Sequence, residues 1–246
     1  DLYLRLRRMN PGPYMGFLRW EGPAAPGESP AVPGGGGALL STSPELLLEL
    51  DGNMARTRPI KGTAPRGATP EEDESNARAL LASEKDRAEL AMIVDLERND
   101  LGRVAETGTV RVENLPRIES YATVHHLMAD VIARPRADVD AVDALAALFP
   151  GGSVTGAPKL RAMERIAELE GEGRGFFTGS LGMLDTRGRA VFNILIRTML
   201  WRPGEVSFRV GGGITWSSDP AAEDRETLAK GAALARALET EAAACP

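Results

Sequence analysis

Apolar residues along this chain fall into blocks with two different periods. Ala38-Leu39-Leu40-Ser41-Thr42, Met54 to Thr57, Thr109 to Glu113 and Ser120 to Val124 are short β-type runs. Phe177 to Leu184, Ala190 to Trp201 and Val206 to Val210 are further runs of the same kind. Turns at Arg187-Gly188 and Pro203-Gly204 separate these last three, which predicts a β-meander. Helical spacing fills the intervals. Ser43-Pro44-Glu45 reads as a cap with proline in the first turn, opening a short helix to Leu50, and Asp51-Gly52 then turns the chain. Thr69-Pro70-Glu71-Glu72 starts another helix, and Ser83 caps a longer one through Leu101 that Gly102 closes. Val139 to Leu148, Pro158 to Glu170 and about Asp219 to Ala243 have helical spacing as well. Strands and helices come in blocks with no internal repeat. This predicts an α+β fold with antiparallel pairing rather than a doubly wound sheet.

The chain has 246 residues, 43% hydrophobic and 26% charged, enough for a sizeable core in one domain over 1–246. Residues 22–37 are rich in Gly, Pro and Ala and predict a flexible loop. Leu2-Tyr3-Leu4-Arg5-Leu6 reads as the middle of an element, so the expectation is a fragment of a longer protein. A net charge of −6 and the lack of a basic helix argue against nucleic acid as a partner. The single cysteine, Cys245, excludes an internal disulfide framework. No apolar run reaches membrane length, which points to a cytoplasmic location with no membrane partner.

Lys61 follows a β-type run, between Pro59 and Gly62, in a turn suited to holding one amine at the mouth of a pocket. Asp86 and Glu89 are helical neighbours, as are Glu223 and Glu226, with Lys230 four residues further on. Each pair is either a solvated helix face or half of a hard-cation site of the kind Mg²⁺ occupies. Gly151-Gly152-Ser153-Val154-Thr155-Gly156 is either an ordinary helix start or an anion cradle of free N–H groups. Gly211-Gly212-Gly213 marks a bulge or a close backbone approach. His125 and His126 alternate across a strand, so at most one faces a pocket, as a proton-transfer group or as a packed histidine. Arg197, inside an apolar strand-like run, requires either a core acid or a ligand carboxylate. Taken together, these groups suit a small dianionic substrate held through Mg²⁺.

The motifs Ser43-Pro44-Glu45, Pro59-Ile60-Lys61-Gly62-Thr63, Asp86-Arg87-Ala88-Glu89, Arg98-Asn99-Asp100-Leu101-Gly102-Arg103, His125-His126-Leu127, Phe149 to Arg161, Arg197-Thr198 and Gly211 to Lys230 recur in one order. In them the chain resembles the chorismate-utilising enzymes, the catalytic subunits of anthranilate synthase and aminodeoxychorismate synthase. The resemblance implies a two-layer α+β sandwich of antiparallel sheets with outer helices, here incomplete at the N-terminus. It also implies Mg²⁺ held by Glu89 and Glu226 with Asp86 and Glu223 beside them, and His126 near the ring. Ser153, Thr155, Arg197, Gly212, Gly213 and Lys230 are the implied substrate-binding groups. Phe177 stands where anthranilate synthases usually carry Tyr. In that family Pro-Ile-Ala-Gly-Thr is typical of anthranilate synthases, and Pro-Ile-Lys-Gly-Thr of aminodeoxychorismate synthases, where the lysine attacks C2 of chorismate. Lys61 thus implies a transaminase-type enzyme for para-aminobenzoate and folate synthesis, which aminates chorismate at C4 with ammonia from a glutamine amidotransferase partner. Anthranilate formation and a non-catalytic, partner-binding homologue are the alternatives.

Overall fold

The computed structural model describes residues 1–21, 36–122, 124–216 and 218–242, the side chains of 240–242 excepted. In chain order the elements are α1 (Leu2–Met9), β1 (Gly16–Trp20), β2 (Gly37–Ser41), β3 (Leu46–Asp51), β4 (Met54–Arg58), β5 (Ile60–Pro65), α2 (Pro70–Ala82), α3 (Glu84–Gly102), β6 (Arg111–Ser120), β7 (Val124–Ala133), α4 (Ala141–Leu148), α5 (Lys159–Glu170), β8 (Gly182–Leu184), β9 (Ala190–Asn193), β10 (Thr198–Arg202), β11 (Glu205–Phe208) and α6 (Pro220–Ala242). All strand pairs within the two sheets are antiparallel, as the blockwise pattern predicts. No helix among the described residues is long and apolar enough to cross a membrane.

The chain forms two compact units. The larger comprises Glu45–Gly171 and Gly182–Asn193. Its sheet is organised on β7, buried along its whole length beyond Val124. β6 takes one edge of β7, while β4 and β5 follow one another along the other edge. β3, β9 and β8 continue from β4. α3 packs on β7 and β5 with Leu90, Ile93, Val94 and Leu101 buried, the i, i+3, i+4 stripe expected of a helix lying on a sheet. The caps are those read from the sequence: Thr69 Oγ1 accepts from Glu72 N at 3.2 Å, and Ser83 Oγ from Asp86 N at 3.3 Å.

The smaller unit comprises Asp1–Pro44, Glu172–Leu181 and Ile194–Pro246. Its sheet runs β1-β2-β10-β11. Leu6 of α1, Ala38 and Leu40 of β2, Met199 of β10, and Leu234 and Ala237 of α6 form its core.

Four local expectations fail. Leu46 to Leu50 is strand β3, not a helix: the leucines are buried on both faces between β4 and β9. An unbroken leucine run serves a buried strand as well as a helix, and pairing partners decide. The Ser120 to Val124 run is not a strand of its own: β6 ends at Ser120 and β7 begins at Val124, Tyr121 N donates to Val124 O at 2.8 Å, and Thr123 lies outside the described residues. In Phe177 to Leu184 only Gly182–Leu184 is strand. The meander is absent: β8 and β9 belong to one sheet, β10 and β11 to the other, with a break at Arg197, φ 49°. The proposed loop at 22–37 falls outside the described residues up to 35, and β2 already begins at Gly37.

Candidate functional site

In the larger unit Lys61 lies within strand β5 rather than in a turn. Pro59 ends β4 and Gly62 makes a bulge: the register against β7 shifts between Lys61↔Leu127 and Thr63↔His126. Gly62 has φ +74°, and a Cβ there would lie 2.9 Å from Asp86 Cγ and from Leu80 Cδ1. Glycine thus permits both the left-handed backbone and the close approach of β5 to the first turn of α3. This brings the Lys61 strand against the Asp86–Glu89 face. Lys61 is half-buried, and its Nζ donates to the Ser153 carbonyl at 3.4 Å. Glu89 is 16% exposed at its side chain, with the Lys85 ammonium 3.9 Å away.

Ser153 belongs to a short 3₁₀ turn, Gly152–Val154, and is followed by Thr155, whose Oγ1 donates to Gly151 O at 2.8 Å. The glycine-rich run is not the first turn of α5, which starts only at Lys159 and has no side-chain cap. Gly152 lets the turn close on α3, since a Cβ there would meet Leu96 Cδ2 at 2.9 Å. Ser153 Oγ is buried and has no hydrogen-bond partner among the described residues.

Both histidines are buried. His125 is held by Ser120 Oγ at 2.7 Å on Nδ1 and by Asp73 Oδ1 at 3.0 Å on Nε2. Asp73 also takes Arg66 at 2.7 and 2.8 Å and the Gly67 N–H at 2.8 Å. The Arg66 guanidinium, then the Gly67 N–H, hold its carboxyl far below the usual carboxylate range. His126, on the opposite side of the strand, has Nδ1 3.0 Å from Thr63 Oγ1, and its ring lies beside Tyr121. His126 is thus tied to β5 two residues beyond Lys61, whereas His125 serves a structural cluster.

In the smaller unit Arg197 is half-buried outside any strand. Its carbonyl accepts from Thr42 N and Thr42 Oγ1, both at 3.1 Å. The Gly211–Gly213 backbone follows β11 and is exposed. A Cβ on Gly212 would lie 3.2 Å from Glu223 Oε2 and 3.6 Å from Thr227 Oγ1. Lys230 Nζ donates to Gly211 O at 3.3 Å and pairs with Glu226 at 2.8 Å. Glu223 is buried, and its Oε1 accepts from Ser218 Oγ at 2.8 Å. Gly212, Glu223, Glu226 and Lys230 therefore form one local group. Of the four acids named as metal ligands, Asp86 and Glu89 stand in the larger unit, Glu223 and Glu226 in the smaller. Among the described residues no group of three or more His, Cys, Asp or Glu side chains is gathered to hold a metal.

Sequence reasoning assigned no site role to Glu45 or Glu97, both buried in the larger unit. Glu45 Oε1 accepts from Ile60 N at 3.4 Å, one residue before Lys61. Glu97 Oε2 accepts from Thr57 Oγ1 at 2.9 Å. The signal was available for Glu97, which sits on the apolar stripe of α3 between Val94 and Leu101.

Residues 1–236 match the model of the chorismate binding enzyme family. The chain belongs to that family. Over 244 residues it is 48% identical to anthranilate synthase component 1 of Streptomyces coelicolor, covering 99% of this chain and 45% of that protein. Aminodeoxychorismate synthase component 1 of Bacillus subtilis is 44% identical over 239 residues, 97% of this chain and 48% of its own length. The crystal structure of anthranilate synthase component I from Streptococcus pneumoniae superposes with a TM-score of 0.78 at 37% identity, covering 94% of this chain and 48% of that one. The chain thus spans a little under half the length of these relatives.

Proposed function

We propose that this chain carries the chorismate-handling part of an aminodeoxychorismate synthase, which converts chorismate to 4-amino-4-deoxychorismate with Lys61 as a transient nucleophile. The observation that supports this reading is Lys61 itself: a half-buried strand lysine with its amine on the Ser153 carbonyl, at the position that sorts the family's chemistries. In the proposed reaction the deprotonated Lys61 amine bonds to C2 of the ring. Both ring double bonds shift along the ring and the C4 hydroxyl leaves as water, taking up the proton that the amine gives up. Ammonia then bonds to C4, the ring double bonds shift back, and the Lys61 nitrogen departs from C2 with the proton that ammonia gives up, which restores the free amine. His126, tied to Thr63, is the proton-transfer group assigned to the ring. Ser153, Thr155, Arg197, Gly212, Gly213 and Lys230 are assigned to the substrate's carboxylates.

Asp86 and Glu89 in the larger unit, and Glu223 and Glu226 in the smaller, each offer carboxylate oxygen, the chemistry a Mg²⁺ ion takes. Glu89 and Glu226 are the ligands we assign, and each has a lysine ammonium beside it, Lys85 and Lys230. When bound, the ion supplies positive charge to the substrate's carboxylate. Ammonia comes from a glutamine amidotransferase subunit in this reading, as the resemblance implies.

Anthranilate formation is the second reading, favoured by the name of the 48% identical Streptomyces coelicolor relative. Incubating the protein with chorismate, Mg²⁺ and an ammonium salt, followed by mass spectrometry, separates the two. 4-Amino-4-deoxychorismate is expected. Anthranilate with pyruvate decides for the second reading, and unchanged chorismate for a non-catalytic homologue.

A further inference from the structure

Residues 149–158 separate α4 from α5, and both ends of that loop meet at one amine. Lys159, the first residue of α5, donates from Nζ to the carbonyl of Leu148, the last residue of α4, at 2.9 Å. The same ammonium lies 2.6 Å from Asp100 Oδ2 in the last turn of α3, as an ion pair rather than an aligned hydrogen bond. The pair is enclosed: the side chain of Lys159 is 14% exposed and that of Asp100 6%. A cation suits this place, because the last carbonyls of a helix lack helical partners and carry partial negative charge. One charge thus gathers the end of α3, the end of α4 and the start of α5.

The loop closed in this way carries Ser153, whose carbonyl accepts from Lys61 Nζ at 3.4 Å. Thr155 shapes the turn from within: its Oγ1 donates to Gly151 O at 2.8 Å and its N–H to Gly152 O at 3.3 Å. Those bonds do not place the turn against the rest of the unit. Gly152, pressed on Leu96, and the Lys159–Asp100 pair do so, both against α3. An amine that gives one N–H to a fixed carbonyl has the direction of its lone pair limited by where that carbonyl stands, and the aim of a nucleophile is worth much of its rate.

We propose that Lys159 is a positioning residue: by tying Leu148 and Asp100 to the start of α5 it closes the 149–158 loop, and so fixes the Ser153 carbonyl and the aim of the Lys61 amine. The inference rests on the reading of Lys61 as the reacting group.

Stability and aim can be separated by experiment. Lys159→Met leaves the enclosed Asp100 carboxylate without its cation and should lower the melting temperature sharply. Lys159→Met combined with Asp100→Asn removes both charges and should recover most of that loss. A merely structural ion pair would then recover turnover in step. With a positioning residue, kcat/KM for chorismate should stay at least about tenfold below wild type in the double variant, although its fold is restored. Wild-type turnover in the double variant overturns the positioning role. The second readout needs no substrate. Hydrogen exchange at the Thr155 N–H, followed by NMR, should quicken by about tenfold or more in the double variant while the β7 amides stay level. Unchanged exchange overturns the clamp and the role built on it. Should the double variant not fold, Asp100→Asn alone removes one attachment of the clamp, and wild-type exchange or wild-type turnover in it overturns the role. A wild type whose loop loosens on substitution but which never turns over chorismate defeats the reading of Lys61, and the positioning role with it, while the clamp stands.

Discussion

Lys61 and Lys230 are both candidate cations for an anionic substrate, yet the protein holds them by opposite means. Lys61 sits in a strand paired to the buried β7, its backbone pressed against α3 by Gly62 and its amine on a main-chain carbonyl. Lys230 stands on α6, ion-paired to a Glu226 that is 54% exposed, and donates to an exposed glycine backbone. In the larger unit packing positions the polar groups. In the smaller unit the same task falls to short-range pairing on the i, i+4 spacing of one helix. Changes in the first region should therefore mix activity with stability, and changes in the second should touch activity alone.

The largest expected effect comes from Lys61→Ala. Amination at C4 should drop by about 10³-fold or more, because free ammonia must then perform the lysine's step. Product analysis by mass spectrometry checks this, and a chorismate-derived mass shift on the Lys61 peptide would identify the covalent route. Full 4-amino-4-deoxychorismate formation by the variant rules the route out.

Next in size are Glu89→Gln and Glu226→Gln. Each should lower Mg²⁺-dependent turnover by about 10²-fold or more. The comparison of regions predicts a difference beyond activity. Melting temperature should change in Glu89→Gln, whose carboxyl is mostly buried, and stay level in Glu226→Gln. Near-normal turnover in either variant would sink its assignment as a ligand.

Arg197→Lys tests the smaller unit. A guanidinium that grips a carboxylate through two donors is poorly replaced by an ammonium, so kcat/KM should fall by about 2 kcal/mol, with the melting temperature unchanged. A lower melting temperature with KM intact would make Arg197 a structural residue.

The smallest effect concerns Asp73. Its folded carboxyl is held far below its unfolded value by Arg66, Gly67 N–H and His125. That contribution is present above the unfolded value, near pH 4, and fades as pH falls toward the folded one. Asp73→Asn should thus melt lower than wild type at pH 7, and the two curves should converge in acid. Curves that coincide at every pH would show that the Asp73 carboxylate adds nothing to stability.

Local chemistry made much of this legible in advance. The Thr69 and Ser83 caps lie within three residues of their partners, so the starts of α2 and α3 can be read from sequence. The acidic pairs on α3 and α6 follow from helical period alone. Leu46–Leu50 and Ala190–Trp201 were not legible, because each run suits more than one conformation. The strand at β3 exists through β4 and β9, and the second run is cut at Arg197 by a left-handed backbone.

The sequence by itself determined the family, the antiparallel α+β class and the residue types offered for chemistry, since motifs and periodicity are properties of the chain. Only the tertiary structure decided which polar groups are enclosed. It turned Lys61 from a turn residue into a strand residue, separated the roles of His125 and His126, and buried Glu97 beside Glu45. The physical reason is that burial and charge proximity are set by residues far apart in the chain. The pairing of Thr57 with Glu97, 40 positions away, is carried by no local pattern.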